Sequence, residues 1–207
     1  MNVVDGKAYV PIFSFAEGIG ESFLSSVQIE NPEGGALAFG DLTVQLELFR
    51  LYENEPSGID SILRKSDAAM ILVKFLDRMI MDRIKETYRI LAEEAFLPKS
   101  ICICREAKEA EFKISCAYCG QKLWVRDKDA GKRGNCPQCR KTFFLPTQKS
   151  YLTSFLMLTD AVPAVTVTLG DATCTNALSS LIERVVSHEQ GLKSSTMRVQ
   201  IPPDELG

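Results

Sequence analysis

The chain has one histidine, one tryptophan and no long apolar run. The single histidine, His188, lies near the C-terminal end of the sequence, at the end of the last predicted helix, so we expect no Ser–His–Asp or Cys–His catalytic arrangement. The longest strongly apolar stretch, residues 68–73, is far too short to cross a bilayer, so we expect no membrane span. The first residues lack the basic and apolar regions of a signal peptide, and we expect a cytoplasmic protein.

The charge of the chain is nearly balanced. It has 24 Lys and Arg against 27 Asp and Glu, a net charge of −3. No global field therefore favours a nucleic acid or an anionic membrane. A hydrophobic content of 45% with 25% charged residues is typical of soluble globular proteins. The 207 residues suffice for one mid-sized domain with a core and a small additional module.

Strand and helix patterns alternate along the chain. The predicted strands are residues 7–15, 37–52 (two strands with a break at Gly40–Asp41), 68–75, 100–104 and 164–169. The predicted helices are residues 23–30, 59–65, 76–96, 150–158 and 176–188. The continuous apolar run at 68–75 is typical of a strand buried on both faces of a parallel sheet. The pattern predicts an α/β domain with a mainly parallel sheet flanked by helices.

Four of the seven cysteines form two Cys-x-x-Cys pairs, Cys116 with Cys119 and Cys136 with Cys139. Each pair sits in a tight turn that lets two sulfurs converge on one ion, and the 16 residues between the pairs allow a hairpin. We predict a four-thiolate zinc site; iron in a rubredoxin-like site is the alternative metal. The competing interpretation is that these cysteines are buried or disulfide-linked. Four thiolates leave no open coordination position, so the site would be structural.

The segment 111–146 is predicted to be a zinc ribbon that is too small to fold without its metal. We expect Trp124 and the pair Phe143–Phe144 to supply its core; the alternative for Trp124 is a stacking platform for a base. The segment has eight basic and three acidic residues, a charge of +5 before the metal site is counted. Such a ribbon could contact nucleic acid, or its charge could only keep it soluble.

A glycine-rich segment, FAEGIGES at residues 15–22, follows the first predicted strand. A P-loop at this position would read G-x-x-x-x-G-K-[ST], with backbone and lysine binding phosphates and the hydroxyl holding magnesium. Gly20 and Ser22 match that pattern. Phe15 replaces the first glycine, and Glu21 stands where the lysine should be. A carboxylate there would repel a triphosphate.

In element order, residues 7–110 and 150–188 resemble the Ras-like small GTPases, in particular the bacterial branch that includes the gliding-motility GTPases. The resemblance implies a P-loop GTPase-like sheet with a degenerate nucleotide loop at Gly18, Gly20 and Ser22. The family's magnesium-side loop corresponds only to ENEPSG at 53–58, and its guanine-reading box falls on REAK at 105–108. We therefore expect no ordinary GTP or ATP hydrolysis. An unrelated α/β fold, in which GIGES is only a turn, is the alternative.

The predicted organisation is a GTPase-like domain at 1–110 and 147–190, a ribbon at 111–146 and a flexible tail at 191–207. The leading hypothesis is a non-catalytic scaffold or regulatory protein that acts through protein–protein contacts. Its partner would be acidic and would bind an edge that includes Lys128, Lys132 and Arg133. The alternatives are an unconventional GTP-binding switch and a nucleic-acid-binding ribbon protein.

Overall fold

A computed structural model of the protein describes residues 6–52, 58–74, 78–93, 97–106, 111–156 and 162–197. Several segments discussed above lie outside these ranges. They are residues 53–57 of the magnesium-side segment, residues 75–77 at the end of the fourth predicted strand, residues 107 and 108 of REAK and residues 198–207 of the tail.

The elements follow one another in an order close to the predicted one. In chain order they are β1 (Lys7–Ser14), α1 (Ile19–Ser26), β2 (Gly34–Phe39), β3 (Leu42–Arg50), α2 (Ile59–Leu63), β4 (Ala69–Val73), α3 (Arg78–Glu93), β5 (Lys99–Arg105), β6 (Glu111–Ser115), β7 (Lys122–Arg126), a 3-10 turn (Asp127–Asp129), β8 (Arg133–Asn135), β9 (Thr142–Phe144), α4 (Gln148–Leu156), β10 (Ala164–Thr168) and α5 (Ala172–Met197).

Six strands form one sheet in the spatial order β10-β5-β4-β1-β3-β2. Every neighbouring pair in it is parallel except β2 with β3, which are antiparallel. Parallel neighbours need crossover connections, and the intervening helices provide them. The fold class is therefore confirmed: a mainly parallel, P-loop-like α/β sheet flanked by helices, with the cysteine segment inserted after β5.

The sheet has a hydrophobic layer on each face because successive strand residues point to opposite sides. On β4, Met70 and Leu72 pack with α1 and α5, whereas Ala69, Ile71 and Val73 pack with α2, α3 and α4. This double burial explains why the strand reads as a continuous apolar run. Cysteines 102 and 104 of β5 belong to the first layer, where burial raises the pKa of both thiols.

Helix boundaries account for most of the differences from the sequence prediction. Helix α1 begins at Ile19, before the predicted start at Phe23. Helix α5 continues to Met197, although a flexible tail was predicted from Gly191. A glycine inside a helix costs only about 1 kcal/mol relative to alanine, and the residues after it include the good helix formers Leu192, Lys193 and Met197. No helix in the described part of the chain has the length and apolar character needed to cross a membrane.

Candidate metal centre and glycine loop

Two short hairpins, β6 with β7 and β8 with β9, form the ribbon. Each carries one Cys-x-x-Cys turn with the same backbone bonding. The N–H of Gly120 donates to the carbonyl of Cys116 over 2.9 Å, and the N–H of Arg140 donates to that of Cys136 over the same distance. A further bond closes each turn, from Cys116 to the carbonyl of Gln121 and from Cys136 to that of Lys141. The two turns are thus structural repeats of each other.

The residue after the second cysteine of each turn has a left-handed backbone. Its φ is 73° at Gly120 and 58° at Arg140. Glycine adopts this conformation freely, whereas arginine does so at a cost of roughly 1–2 kcal/mol. The second turn therefore keeps a strained residue where the first has a glycine.

The four cysteine sulfurs converge on one point. Cys116 Sγ lies 3.8 Å from Cys139 Sγ, and Cys119 Sγ lies 3.6 Å from Cys136 Sγ. All four sulfurs are within 4.8 Å of one another. A tetrahedron of sulfurs around zinc, with bonds of about 2.3 Å, has edges of about 3.8 Å. The four cysteines are therefore placed to hold a metal ion, and each short distance joins one turn to the other.

The backbone around Cys136 favours the thiolate form of this cysteine. Cys116 and Cys136 are buried, Cys139 is half-buried and Cys119 is exposed. Hydrogen bonds from the backbone N–H groups of Cys139 and Gln138 lower the pKa of Cys136 to about 7. Because the thiolate is the form that binds metal, this backbone arrangement prepares Cys136 as a ligand.

The core of the ribbon differs from the one predicted. Its buried residues are Phe112, Ile114 and Val125, with Phe143 packed against them. Trp124 and Phe144 were expected in this core, and that prediction is wrong: their side chains are 63% and 64% exposed. The alternation of side chains along KLWVR indicates that Trp124 is exposed. Leu123 and Val125 point inward, and Trp124 shares the opposite face with Lys122 and Arg126.

An ion pair and an apolar contact between described residues join the ribbon to the main domain. Arg105, the last residue of β5, forms an ion pair with Asp127 in the 3-10 turn. Tyr151 of α4 packs against both the ribbon core and the second hydrophobic layer of the sheet. The chain thus leaves the carboxyl end of β5, forms the ribbon and returns through α4. In parallel sheets this edge carries the functional loops.

The predicted nucleotide-loop residues lie at the start of α1. Gly18 is the N-cap, with a left-handed φ of 72°. Gly20 is buried in the first turn, where an added Cβ would lie 2.4 Å from the side chain of Leu48. Ser22 donates its backbone N–H to Gly18 and accepts a bond from the hydroxyl of Ser26. Ahead of them, Phe15 is buried in the second hydrophobic layer.

Glu21 is paired with a residue that sequence reasoning did not connect to it. Its Oε1 accepts a hydrogen bond of 2.7 Å from Arg50 Nε at the end of β3. Arg50 also donates to Glu33 Oε2 over 2.9 Å and to the carbonyl of Pro32 over 3.1 Å. The hydrogen bonds to Glu33 and Glu21 raise the pKa of the Arg50 guanidinium, and the bond to Glu33 has the larger effect. Glu21 and Arg50 are 29 positions apart, and no local sequence pattern indicates that they meet. The contact depends on the parallel pairing of β1 with β3.

An open cleft of about 710 Å³ lies beside this loop. It is lined by Glu21, Ser22, Ser25, Ser26, Leu169 and Gly170. The N–H of Gly170 donates to the Ser26 hydroxyl over 2.8 Å, which joins α1 to the turn after β10. The two described residues of the REAK segment do not line this cleft. Arg105 forms an ion pair with Asp127, and Glu106 forms one with Lys74.

No family model matches the chain, and no curated protein is similar to it. One similar solved structure is the crystal structure of a mutation variant of SsGBP, with 13% sequence identity and a TM-score of 0.46. The alignment covers 87% of this chain and 57% of that one, so the chain spans little more than half of the other protein's length. This likeness assigns neither a family nor a function.

Proposed function

We propose that the ribbon binds one zinc ion in a structural role. The observation that carries the proposal is the tetrahedral spacing of the four sulfurs, 3.6–3.8 Å for the pairs that join the two turns. Zinc suits such a site because it imposes no geometry of its own, and iron is the competing metal. Four protein ligands leave no position for substrate. A thiolate site of this kind also suits a reducing compartment such as the cytoplasm.

The rest of the proposal is that the α/β domain is a degenerate Ras-like GTPase that serves as a scaffold and does not hydrolyse nucleotide. The pair of Glu21 with Arg50 supports it. In a P-loop the lysine at this position reaches the phosphates, whereas here a carboxylate stands there and its charge is met by a protein cation. Phe15, which stands at the position of the first glycine of a P-loop, is buried in the second hydrophobic layer of the sheet. Arg105 and Glu106 each form an ion pair within the protein, which does not favour hydrogen bonding of either side chain to a guanine base.

An unconventional GTP-binding switch is the alternative, and calorimetry separates the two. We expect no binding of GTP or ATP with magnesium at micromolar concentrations. The Glu21→Lys variant restores the P-loop charge and tests whether that position is the main block. Micromolar or tighter binding by the wild-type protein would contradict the scaffold proposal and favour the switch.

As a scaffold, the protein would act through contacts at the carboxyl edge of the sheet, where the ribbon adds basic surface. Lys128, Lys132 and Arg133 are exposed there. Eight basic and three acidic residues give the ribbon a charge of +5 on a chain of net charge −3. Four thiolates and one divalent ion lower both values by 2, to +3 and −5. This asymmetry supports an acidic protein partner.

Affinity capture tests this partner proposal. We expect the Lys128/Lys132/Arg133 triple glutamate variant to lose acidic proteins that the wild type retains. Lys7→Glu, a single charge reversal at the start of β1, is a control for charge reversal elsewhere on the surface and should retain them. Equal partner sets from wild type and a zinc-loaded triple variant would contradict a role for this edge.

A further inference from the structure

The outer face of the β6–β7 hairpin has an exposed tryptophan among cations. Trp124 is 63% exposed, and Lys113, its direct partner across the hairpin, places Nζ 4.4 Å from the ring centroid. Lys122 and Arg126 lie two residues to either side of Trp124 on the same strand, so they share its face. The two remaining positions of this face are Glu111 and Ser115, opposite Arg126 and Lys122. We call Lys113, Lys122, Trp124 and Arg126 the tryptophan face.

Exposed aromatic rings are concentrated in the ribbon. In the described part of the chain, four large hydrophobic side chains are exposed, and Tyr118, Trp124 and Phe144 are three of them. Each has a cation near its ring, at 4.7 Å for Lys141 over Tyr118 and 5.3 Å for Arg133 over Phe144. Packing does not explain them, because the ribbon core is formed by other residues. Exposed aromatic surface beside cations is instead the composition of a surface that binds π-systems carrying negative charge.

We propose that the tryptophan face binds single-stranded nucleic acid, with a base stacked on Trp124 and the backbone phosphates held by Lys113, Lys122 and Arg126. A base offers a flat face to the indole ring, and each nucleotide adds one negative charge for a neighbouring cation. A duplex keeps its bases stacked inside the helix and cannot use the ring in this way. An acidic peptide satisfies the cations but leaves the ring without a stacking partner. Stacking of this kind tolerates any base, so binding is not sequence-specific.

The first hairpin suits this ligand better than the second. The outer face of β8 and β9 also presents an aromatic ring, Phe144, but beside one cation only, Arg133, with Asn135 and Thr142 as its other members. The tryptophan face has three cations and the larger ring. Arg126 also bonds Asp129 over 2.8 Å, so part of its charge is met within the protein. This inference does not rest on the degenerate GTPase proposal, because it uses only residues of the ribbon.

Fluorescence anisotropy with a labelled mixed-sequence single-stranded DNA oligonucleotide tests the proposal on the zinc-loaded, full-length chain. We expect Trp124→Ala to weaken binding about 10-fold to 100-fold, since one stacked base contributes roughly that much. Trp124→Phe should recover part of the loss. Phe144→Ala is the matched control, an equally exposed aromatic on the other hairpin, and should change binding less than about twofold. Zinc content measured for each variant confirms that the ribbon is intact.

Salt and competitor experiments complete the test. With three phosphate contacts, the logarithm of the binding constant should fall with that of the salt concentration at a slope of about −2, and Lys113→Glu should make this slope shallower. The proposal is overturned by an absence of binding at low salt, by equal losses from Trp124→Ala and Phe144→Ala, or by equal affinity for duplex DNA. It is also overturned if polyglutamate competes as well as single-stranded DNA, which would assign the face to acidic proteins.

Discussion

Arg50 Nε lies 2.7 Å from Glu21 Oε1, so the last residue of β3 is bonded to the first turn of α1. The side chains are 19% and 31% exposed, which makes this a partly buried pair. The second oxygen of Glu21 is buried and has no hydrogen-bond partner among the described residues. The glycine loop is thus closed by an internal ion pair at the position where a P-loop presents a cation to a phosphate.

Removing the arginine should destabilise the α/β domain. In Arg50→Met the hydrogen bonds to Glu21, Glu33 and Pro32 are lost and a partly buried carboxylate loses its cation, which we expect to cost about 1–3 kcal/mol in the free energy of unfolding. Urea denaturation measures the change. The control is Arg89→Met, whose partner Glu86 is a surface residue; we expect a smaller loss, because exposed ion pairs contribute little to stability. Equal losses from both variants would contradict a special role for the Arg50 pair.

The contribution of Arg50 should also depend on pH. Its hydrogen bond lowers the pKa of Glu33 below the ordinary value of 4.5. A carboxyl whose pKa is lowered by folding contributes stability above its unfolded pKa, and that contribution is lost as the pH falls through the folded value. The stability difference between wild type and Arg50→Met should therefore shrink as the pH is lowered below 4.5. A difference that is constant or grows on acidification would show that Glu33 does not take part.

Loss of one ligand should unfold the ribbon and spare the sheet. In Cys136→Ser the ion loses a buried ligand, and the three-residue core of Phe112, Ile114 and Val125 is too small to hold the hairpins by itself. We expect zinc to be lost and most of the far-UV circular dichroism to remain. Cys174→Ala, at a buried cysteine outside the metal site, should keep its zinc. Global unfolding of Cys136→Ser would mean that the ribbon is part of the main core.

At both repeated turns, glycine is expected to give the higher zinc affinity, because both positions have a left-handed backbone. Gly120→Ala should lower zinc affinity roughly fivefold to tenfold, because an alanine at this left-handed position costs about 1 kcal/mol or more. The added Cβ meets no atom within 4 Å, so the cost is one of backbone conformation only. Arg140→Gly should raise affinity by a similar factor, and Arg140→Ala, which removes the charge but keeps the strain, should not. Competition with a chelator measures all three, and equal gains from Arg140→Gly and Arg140→Ala would assign the effect to charge.

Much of the fold could be predicted from the sequence because its signals are local. The apolar run of β4 and the helical spacing of Ile84, Tyr88 and Leu91 depend only on neighbouring residues, and both elements appear where expected. The paired cysteines also report a local geometry, two tight turns that present two sulfurs each. Their convergence then follows from the length of chain between the turns.

The parts that were missed depend on contacts or on competing patterns. The bond between Glu21 and Arg50 joins the first turn of α1 to the end of β3, and no local pattern indicates it. Trp124 was placed in the core because of its size, although the alternation of its strand puts it on the polar face with Lys122 and Arg126. In a ribbon with so few strand residues, the period of the strand determined burial and the hydrophobicity of one side chain did not.

Native mass spectrometry of the untagged, full-length protein tests the account most directly, because it weighs the metal and any retained nucleotide in one measurement. We predict a species heavier than the chain by one zinc ion, with no nucleotide, and loss of that added mass in Cys136→Ser. A chain that carries iron, a chain with no stoichiometric metal, or a chain that retains GDP or GTP would contradict the account of a zinc-stabilised scaffold.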